Sequence, residues 1–203
     1  MEDSKIVEIF HSALELEAIT IQNLKKNIDP NTIINLVHTI SNRSGRLFTT
    51  GAGTSAAAAR KIAHTFCCVG IPCCFLVPSD SVHGGLGALQ ENDLVIAISK
   101  GGNTKDIVQM IPGIKGKKAK LIAVTENEES VLAKNSDFFL KVKIVKEIDP
   151  FNMLATSSTI AVIAIFDAIA CILITYLNYK KEDFAIIHPS GAVGERLMKE
   201  IEK

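Results

Sequence analysis

Between residues 46 and 141, five short apolar runs, at 46–50, 73–77, 94–98, 121–124 and 138–141, alternate with segments whose apolar positions recur at helical spacing. A strand that passes through a helix before the next strand rejoins the same sheet in the same direction, so repeats of this unit build a parallel sheet covered by helices. The runs are short and are separated by Gly, Ser and Asn, which end strands and open turns. Five strands suffice for a doubly wound α/β fold, with helices near 55–68, 104–115, 129–134 and 157–178. Ahead of the sheet, the apolar spacing from Ile6 to Leu24 predicts a helix over 3–27, Pro30 marks a break, and 31–42 reads as a second helix. The 203 residues are enough for one well-buried core and too few for two domains with a linker, so 1–203 reads as a single domain, helices at 1–43 leading into an α/β core at 44–203.

Charge narrows the partners. Lys and Arg number 22 against 22 Asp and Glu, so the formal charge is zero and a nucleic-acid polyanion is not an expected ligand. The N-terminus carries acids early and lacks an apolar stretch of the secretory kind, which points to the cytoplasm. Only residues 159–177 are long and apolar enough to raise a membrane question, and Asp167 near their middle, worth about 2.5–3.5 kcal/mol against insertion, argues for a buried helix instead. Four of the five cysteines form the adjacent pairs Cys67-Cys68 and Cys73-Cys74, which do not match zinc spacing; they read as small buried hydrophobes in a reducing compartment.

Two glycine-containing loops fall at strand-to-helix junctions. GAGTSA at 51–56 lets the chain turn at Gly51 and Gly53 and presents Thr54 and Ser55 beside the free amides of a helix start, where the positive end of the helix dipole favours an anion. Alone this is also a dinucleotide fingerprint, with Asp80 about where a ribose-binding acid belongs. The second loop, SKGGNT at 99–104, places Ser99, Lys100, Asn103 and Thr104 at the neighbouring strand end. A second hydroxyl-rich loop suits a phosphate monoester, which uses several donors at once, better than a dinucleotide. In doubly wound sheets ligands sit outside the carboxyl ends of the strands, where both loops lie. A third hydroxyl run, Thr156 to Thr159, is read as the N-cap of the long apolar helix, with ligand contact by Ser157 or Ser158 secondary.

Taken together the blocks GAGTSAAAARKIAHTF, HGGLG at 83–87, NDLVIAISKGGNTKDI, KVKIVKE at 141–147, ATSST at 155–159 and DFAIIHPSGAVGERL at 183–197 resemble the SIS (sugar isomerase) domain, and within it the arabinose 5-phosphate isomerase group. The resemblance covers roughly residues 45 to 200. It implies a flavodoxin-like three-layer sandwich, a phosphosugar ligand, no metal or organic cofactor, and a homo-oligomer, tetramer or dimer, with sites at subunit interfaces. Members of the group often carry a C-terminal CBS pair, which a chain stopping at Lys203 is expected to lack. By position, the implied phosphate contacts fall on Ser55, Ser99 and Thr104, with Gly53, Thr54, Lys100 and Asn103 beside them. The implied chemistry falls on His83, Asp106, Glu147 and His188. The chain departs from the group's usual pattern at Thr54, where Lys is common, at Gly101 and Asn103 within the second loop, and at Asp106, where Glu is common; Lys100 offers a positive charge from the other loop.

Aldose-ketose isomerisation through an enediol needs a base to move a proton between C1 and C2 and partners that move protons between O1 and O2, jobs that suit a carboxylate and imidazoles. Glu147, just past a strand, is the expected base; a solvated charge in a Lys/Glu run is the plainer reading. His188 in HPSGAVG and His83 before Gly84 are expected to open the ring, shuttle protons or hold the sugar, against turn-capping and structural roles. Asp106 sits where a helix dipole favours an acid in any case. His11, His38 and His64 lie within helical segments and read as structural. A non-catalytic phosphosugar-binding module, or lyase or etherase chemistry on an amino-sugar phosphate, are the competing functions.

Overall fold

The structure, a computed structural model, describes residues 1–201. Its centre is a five-stranded, all-parallel sheet in the order β2-β1-β3-β4-β5, formed by β1 (Leu47–Gly51), β2 (Cys73–Leu76), β3 (Leu94–Ile98), β4 (Lys120–Thr125) and β5 (Phe138–Lys141). Each strand falls within a residue or two of its sequence expectation. β1 and β3 are buried along their whole length, and β4 at all but its first residue, which is why they read as unbroken apolar runs. Two threonines interrupt β1 without leaving polar groups unmet: Thr49 Oγ1 donates to the Ala59 carbonyl at 2.8 Å and Thr50 Oγ1 to that of Leu76 at 2.9 Å.

Helices cover both faces. On one lie α1 (Asp3–Asn27), α2 (Pro30–Ser41), α3 (Thr54–Cys68) and α8 (Ser157–Tyr176), and a single apolar cluster joins Leu24, Leu36 and Ile40 to Phe66, Ile96, Val124 and Phe166. Phe66 of α3 and Phe166 of α8 meet edge to face, centroids 6.1 Å apart at 81°, a pairing worth about 0.5–1.5 kcal/mol beyond the area it buries. The other face packs Phe48, Val95 and Leu121 against α5 (Lys105–Val108), α6 (Ile111–Gly116) and α7 (Val131–Lys134). The single helix expected over 104–115 is two: Pro112 has no N–H to give to a continuing helix and sits in the first turn of α6 instead. Pro78 likewise starts α4 (Pro78–Ser81), which leads into a 3₁₀ turn at Gly85–Ala88. At the end of the chain, α9 (Lys181–Ile187) precedes α10 (Gly191–Ile201), so GAVG at 191–194 belongs to a helix.

The long apolar helix has the length and composition of a membrane span. It also turns Ala161, Ile165, Phe166, Ile169 and Leu173 into the core, and its Asp167 pairs with Lys61 of α3. The cysteines depart from expectation. Cys73 alone is buried; Cys67, Cys74 and Cys171 are exposed. Cys67 and Cys74 fall on outward faces of α3 and β2, the edge strand, which is buried only at its two ends where the central strands are buried almost throughout.

Candidate functional site

β1 lies between β2 and β3, so the chain leaves β1 toward one side of the sheet and leaves β3 toward the other. The loops after these two strands open the crevice where parallel sheets bind ligands. Gly51 ends β1 opposite Ile98, the last residue of β3, which brings GAGTSA and SKGGNT side by side. Any Cβ on Gly51 would stand 2.6 Å from the Ser55 carbonyl oxygen, so the turn into α3 requires glycine there. Gly53 takes φ +56° and leads directly into Thr54, the first residue of α3; Thr54 is exposed and Ser55 half-buried.

The second loop is wired to its surroundings. Ser99 Oγ shares a hydrogen bond with Thr104 Oγ1 at 2.9 Å and accepts from the Gly102 amide at 3.2 Å. Asn103 Oδ1 accepts from the Val131 amide at 2.9 Å and so caps α7 from outside. The Lys100 carbonyl accepts from the Glu126 amide at 3.0 Å and from Thr125 Oγ1 at 2.7 Å. Thr125 is a member of the site that the sequence reading misses; the signal available is a hydroxyl residue closing the otherwise apolar run LIAVT at the carboxyl edge of the sheet.

From this loop Lys100 Nζ reaches Glu147 Oε1 at 2.7 Å. Glu147 is 1% exposed, so the solvated-charge alternative is wrong for it. Its other oxygen, Oε2, accepts from the amides of Thr156 (3.0 Å) and Ser158 (3.1 Å) and from Thr156 Oγ1 (3.2 Å). Glu147 therefore caps α8, the role expected of Thr156, whose own hydroxyl makes no bond to the helix amides. The carboxylate gains from the positive end of the α8 dipole as well as from its donors. Burial pushes its carboxyl up, but the Lys100 ammonium and the Ser158 and Thr156 donors outweigh burial and hold it down at about 2. The segment bearing it is held by Asn152, in the left-handed region at φ +56°, whose Oδ1 accepts from the Glu147 amide at 2.7 Å.

Ser55, Lys100, Thr125, Ser158 and Thr159 line, with apolar neighbours, a cavity of about 20 Å³ in front of this pair. Other expected residues lie apart from the cluster. Asp106 is exposed in the first turn of α5, and His83 is exposed between α4 and the 3₁₀ turn. His188 follows α9, its Nδ1 2.9 Å from the Phe184 carbonyl and its ring stacked on Phe184 at 3.9 Å. Among the described residues, no hydrogen bond joins His83, Asp106 or His188 to the Glu147 cluster. Asp80, the candidate ribose acid, sits in α4 with its carboxylate toward Ser79.

The profile of the SIS domain matches residues 39–172. The arabinose 5-phosphate isomerase KdsD of Francisella tularensis is 36% identical over 189 residues, 92% of this chain and 58% of that protein. The chain spans about three fifths of the length of the curated relatives it matches. A Listeria monocytogenes protein provisionally named a sugar-phosphate isomerase has a crystal structure that superposes with a TM-score of 0.92 at 47% identity, covering 94% of this chain and all of the other. An E. coli CFT073 protein in complex with arabinose 5-phosphate superposes with a TM-score of 0.89 at 27% identity, covering 93% of this chain and all of the other.

Proposed function

The chain belongs to the SIS-domain family, and from that premise we propose that it is a phosphosugar-binding aldose-ketose isomerase, acting on a small sugar phosphate of the arabinose 5-phosphate/ribulose 5-phosphate kind through an enediol. The observation that carries this reading is Glu147: a buried carboxylate whose partners Lys100 and Ser158 line, with Ser55, Thr125 and Thr159, a cavity at the carboxyl edge of the sheet. In the reaction Glu147 takes the proton from one of C1 and C2 and returns it to the other. Ser55, Ser99 and Thr104 hold the phosphate with the amides opening α3, and Gly53, Thr54, Lys100 and Asn103 bind the phosphosugar beside them. His188 and His83 open the ring and move protons between O1 and O2, with Asp106 as a further acid. The reaction is redox-neutral within one substrate and calls on no cofactor.

We further infer a homo-oligomer, dimer or tetramer, with shared sites. The observations in favour are apolar residues facing solvent along α1, where Ile6, Phe10 and Leu14 are each about half exposed, and a groove of about 500 Å³ between α1, α2 and α8 lined by Ile21, Ile28, Ile33, Ile169 and Ile172. Ile186 in α9 is 75% exposed, so the arm that bears His188 has an apolar surface to lay on a neighbour, bringing His188 to a site other than its own chain's. The same reading takes residues 1–203 as one domain in the cytoplasm, with neither membrane nor nucleic acid as partner.

The test is solvent-hydrogen exchange. Arabinose 5-phosphate in D₂O is expected to gain deuterium at C2 in the presence of the protein and to yield ribulose 5-phosphate, and Glu147→Gln is expected to lower that rate about 10²–10⁴-fold with binding retained. The full engagement of Glu147 by four donors favours one other reading, a phosphosugar-binding module without turnover. A parent protein that binds the sugar phosphate and never exchanges its C2 hydrogen decides for the module.

A further inference from the structure

The Lys100–Glu147 pair sets a condition that the proposed reaction has to overcome. A general base needs a free lone pair directed at the substrate and a pKa near the working pH. Glu147 meets neither requirement while Lys100 occupies Oε1 and three donors converge on Oε2. The space bordered by Ser55, Lys100, Ser158 and Thr159 is about 20 Å³, room for one water molecule, so Lys100 stands where a ligand approaching Glu147 would pass. Most walls are short side chains on strand ends or on α3 and α8. Lys100 is the long, flexible one, with 36% of its side chain exposed, while its backbone is pinned by Thr125 and Glu126. Its motion is therefore confined to the four-carbon stem, which can swing the ammonium toward solvent or toward a ligand without disturbing β3.

Resting on the phosphosugar reading of this site, we propose that Lys100 is a latch worked by the substrate's phosphate: bridging Glu147 it keeps the base engaged, and an incoming phosphate draws the ammonium off Oε1 and frees the base. Charge gives the direction of the exchange. A phosphate monoester carries about −1.5 to −2 at neutral pH against −1 for the carboxylate, and it arrives beside hydroxyls and helix-start amides that hold it. Lys100 is thus a positioning residue. It makes proton abstraction conditional on the phosphate, so a sugar of the same stereochemistry without its phosphate meets a base that is still bridged.

The latch is tested without reference to turnover, by titrating inorganic phosphate calorimetrically into four proteins at neutral pH: the parent, Lys100→Met, Glu147→Gln and the double variant. Lys100→Met is expected to bind phosphate at least about tenfold more weakly. Glu147→Gln, which releases the ammonium, is expected to bind it several-fold more tightly, and that gain is expected to vanish when Lys100 is also replaced. A gain that persists in the double variant would mean simple repulsion between carboxylate and phosphate and would overturn the proposal. So would a Lys100→Met protein that binds phosphate within about twofold of the parent. The Met variant replaces a partly exposed side chain, so it decides the matter even should the buried Gln variant fail to fold. A parent that shows the expected pattern yet exchanges no C2 hydrogen breaks the isomerase reading and supports the latch; a parent that binds no phosphate yet exchanges the C2 hydrogen breaks the latch alone.

Discussion

The two glycine loops are alike in sequence and unlike in structure. GAGTSA is an open cradle: Gly53 and Thr54 face solvent, and a Cβ added to Gly53 would meet nothing within 4 Å. SKGGNT is a hub, bonded to α7, to β4 and, through Lys100, to the cap of α8. The sheet sets the positions of both in the same way. What differs is the number of elements that depend on each, and so the same substitution has different costs in the two places.

Gly102→Ala carries the largest expected effect. Gly102 holds φ +69°, and a Cβ there would stand 2.5 Å from Ser130 Cβ and 2.9 Å from Thr125 Oγ1 while overlapping the Ser130 hydroxyl. Left-handed strain adds to the displacement of the residue that caps α7. A loss of about 3–4 kcal/mol is expected, read as a fall of roughly 6–16 °C in Tm. Gly53→Ala, with φ +56° but open space around it, meets backbone strain alone, about 1–2 kcal/mol. Equal losses at the two positions would break the contrast between cradle and hub.

Next in size is the response to acid. Glu147 titrates at about 2 in the folded protein against an ordinary 4.5, so the folded state gains stability that is present in full above pH 4.5 and is lost as the pH falls toward 2. Lys100 is the cation facing it; Lys146 is its chain neighbour, and Asp149 two residues on is occupied by the amides of Phe151, Met153 and Leu154. The shift corresponds to about 2–3 kcal/mol once the partial exposure of Lys100 is discounted. Comparing acid unfolding of the parent with that of Glu147→Gln is expected to show this difference opening between pH 4.5 and 2. Parallel curves would mean that the α8 cap does not depend on the charge of Glu147.

Legibility in the sequence follows the range of the interactions. The central strands are readable because burial on both faces leaves an uninterrupted apolar run, and the switch point follows from the order of strands and helices. Pro112 shows where periodicity alone misleads, since Ile107, Ile111 and Ile114 keep a helical spacing across a break. The loops announce themselves through glycine and hydroxyls. The wiring of the second loop does not, because Ser99, Thr125, Asn103 and Glu147 meet only after separate chain segments converge on one edge of the sheet. Glu147 as the cap of α8 lies beyond local reading for the same reason: its partners are nine and eleven residues away, outside any capping pattern written in consecutive positions.

The smallest effect expected concerns the open loop. Thr54→Lys adds a cation at the exposed first residue of α3, where the dipole disfavours it by about 0.3–1 kcal/mol and no neighbouring element has to move. Stability is therefore expected to fall by less than about 1 kcal/mol. An exposed charge contributes about 1 kcal/mol to an anion a few ångströms away, so inorganic phosphate is expected to bind about three- to tenfold more tightly, with the gain shrinking as salt rises toward about 1 M. The informative background is Lys100→Met. If the cradle holds the phosphate, a lysine in the first loop restores part of the affinity lost with the latch, because both ammonium groups address one anion from opposite walls. Unchanged affinity in both backgrounds would place the phosphate away from GAGTSA and leave the hub as the only loop that meets it.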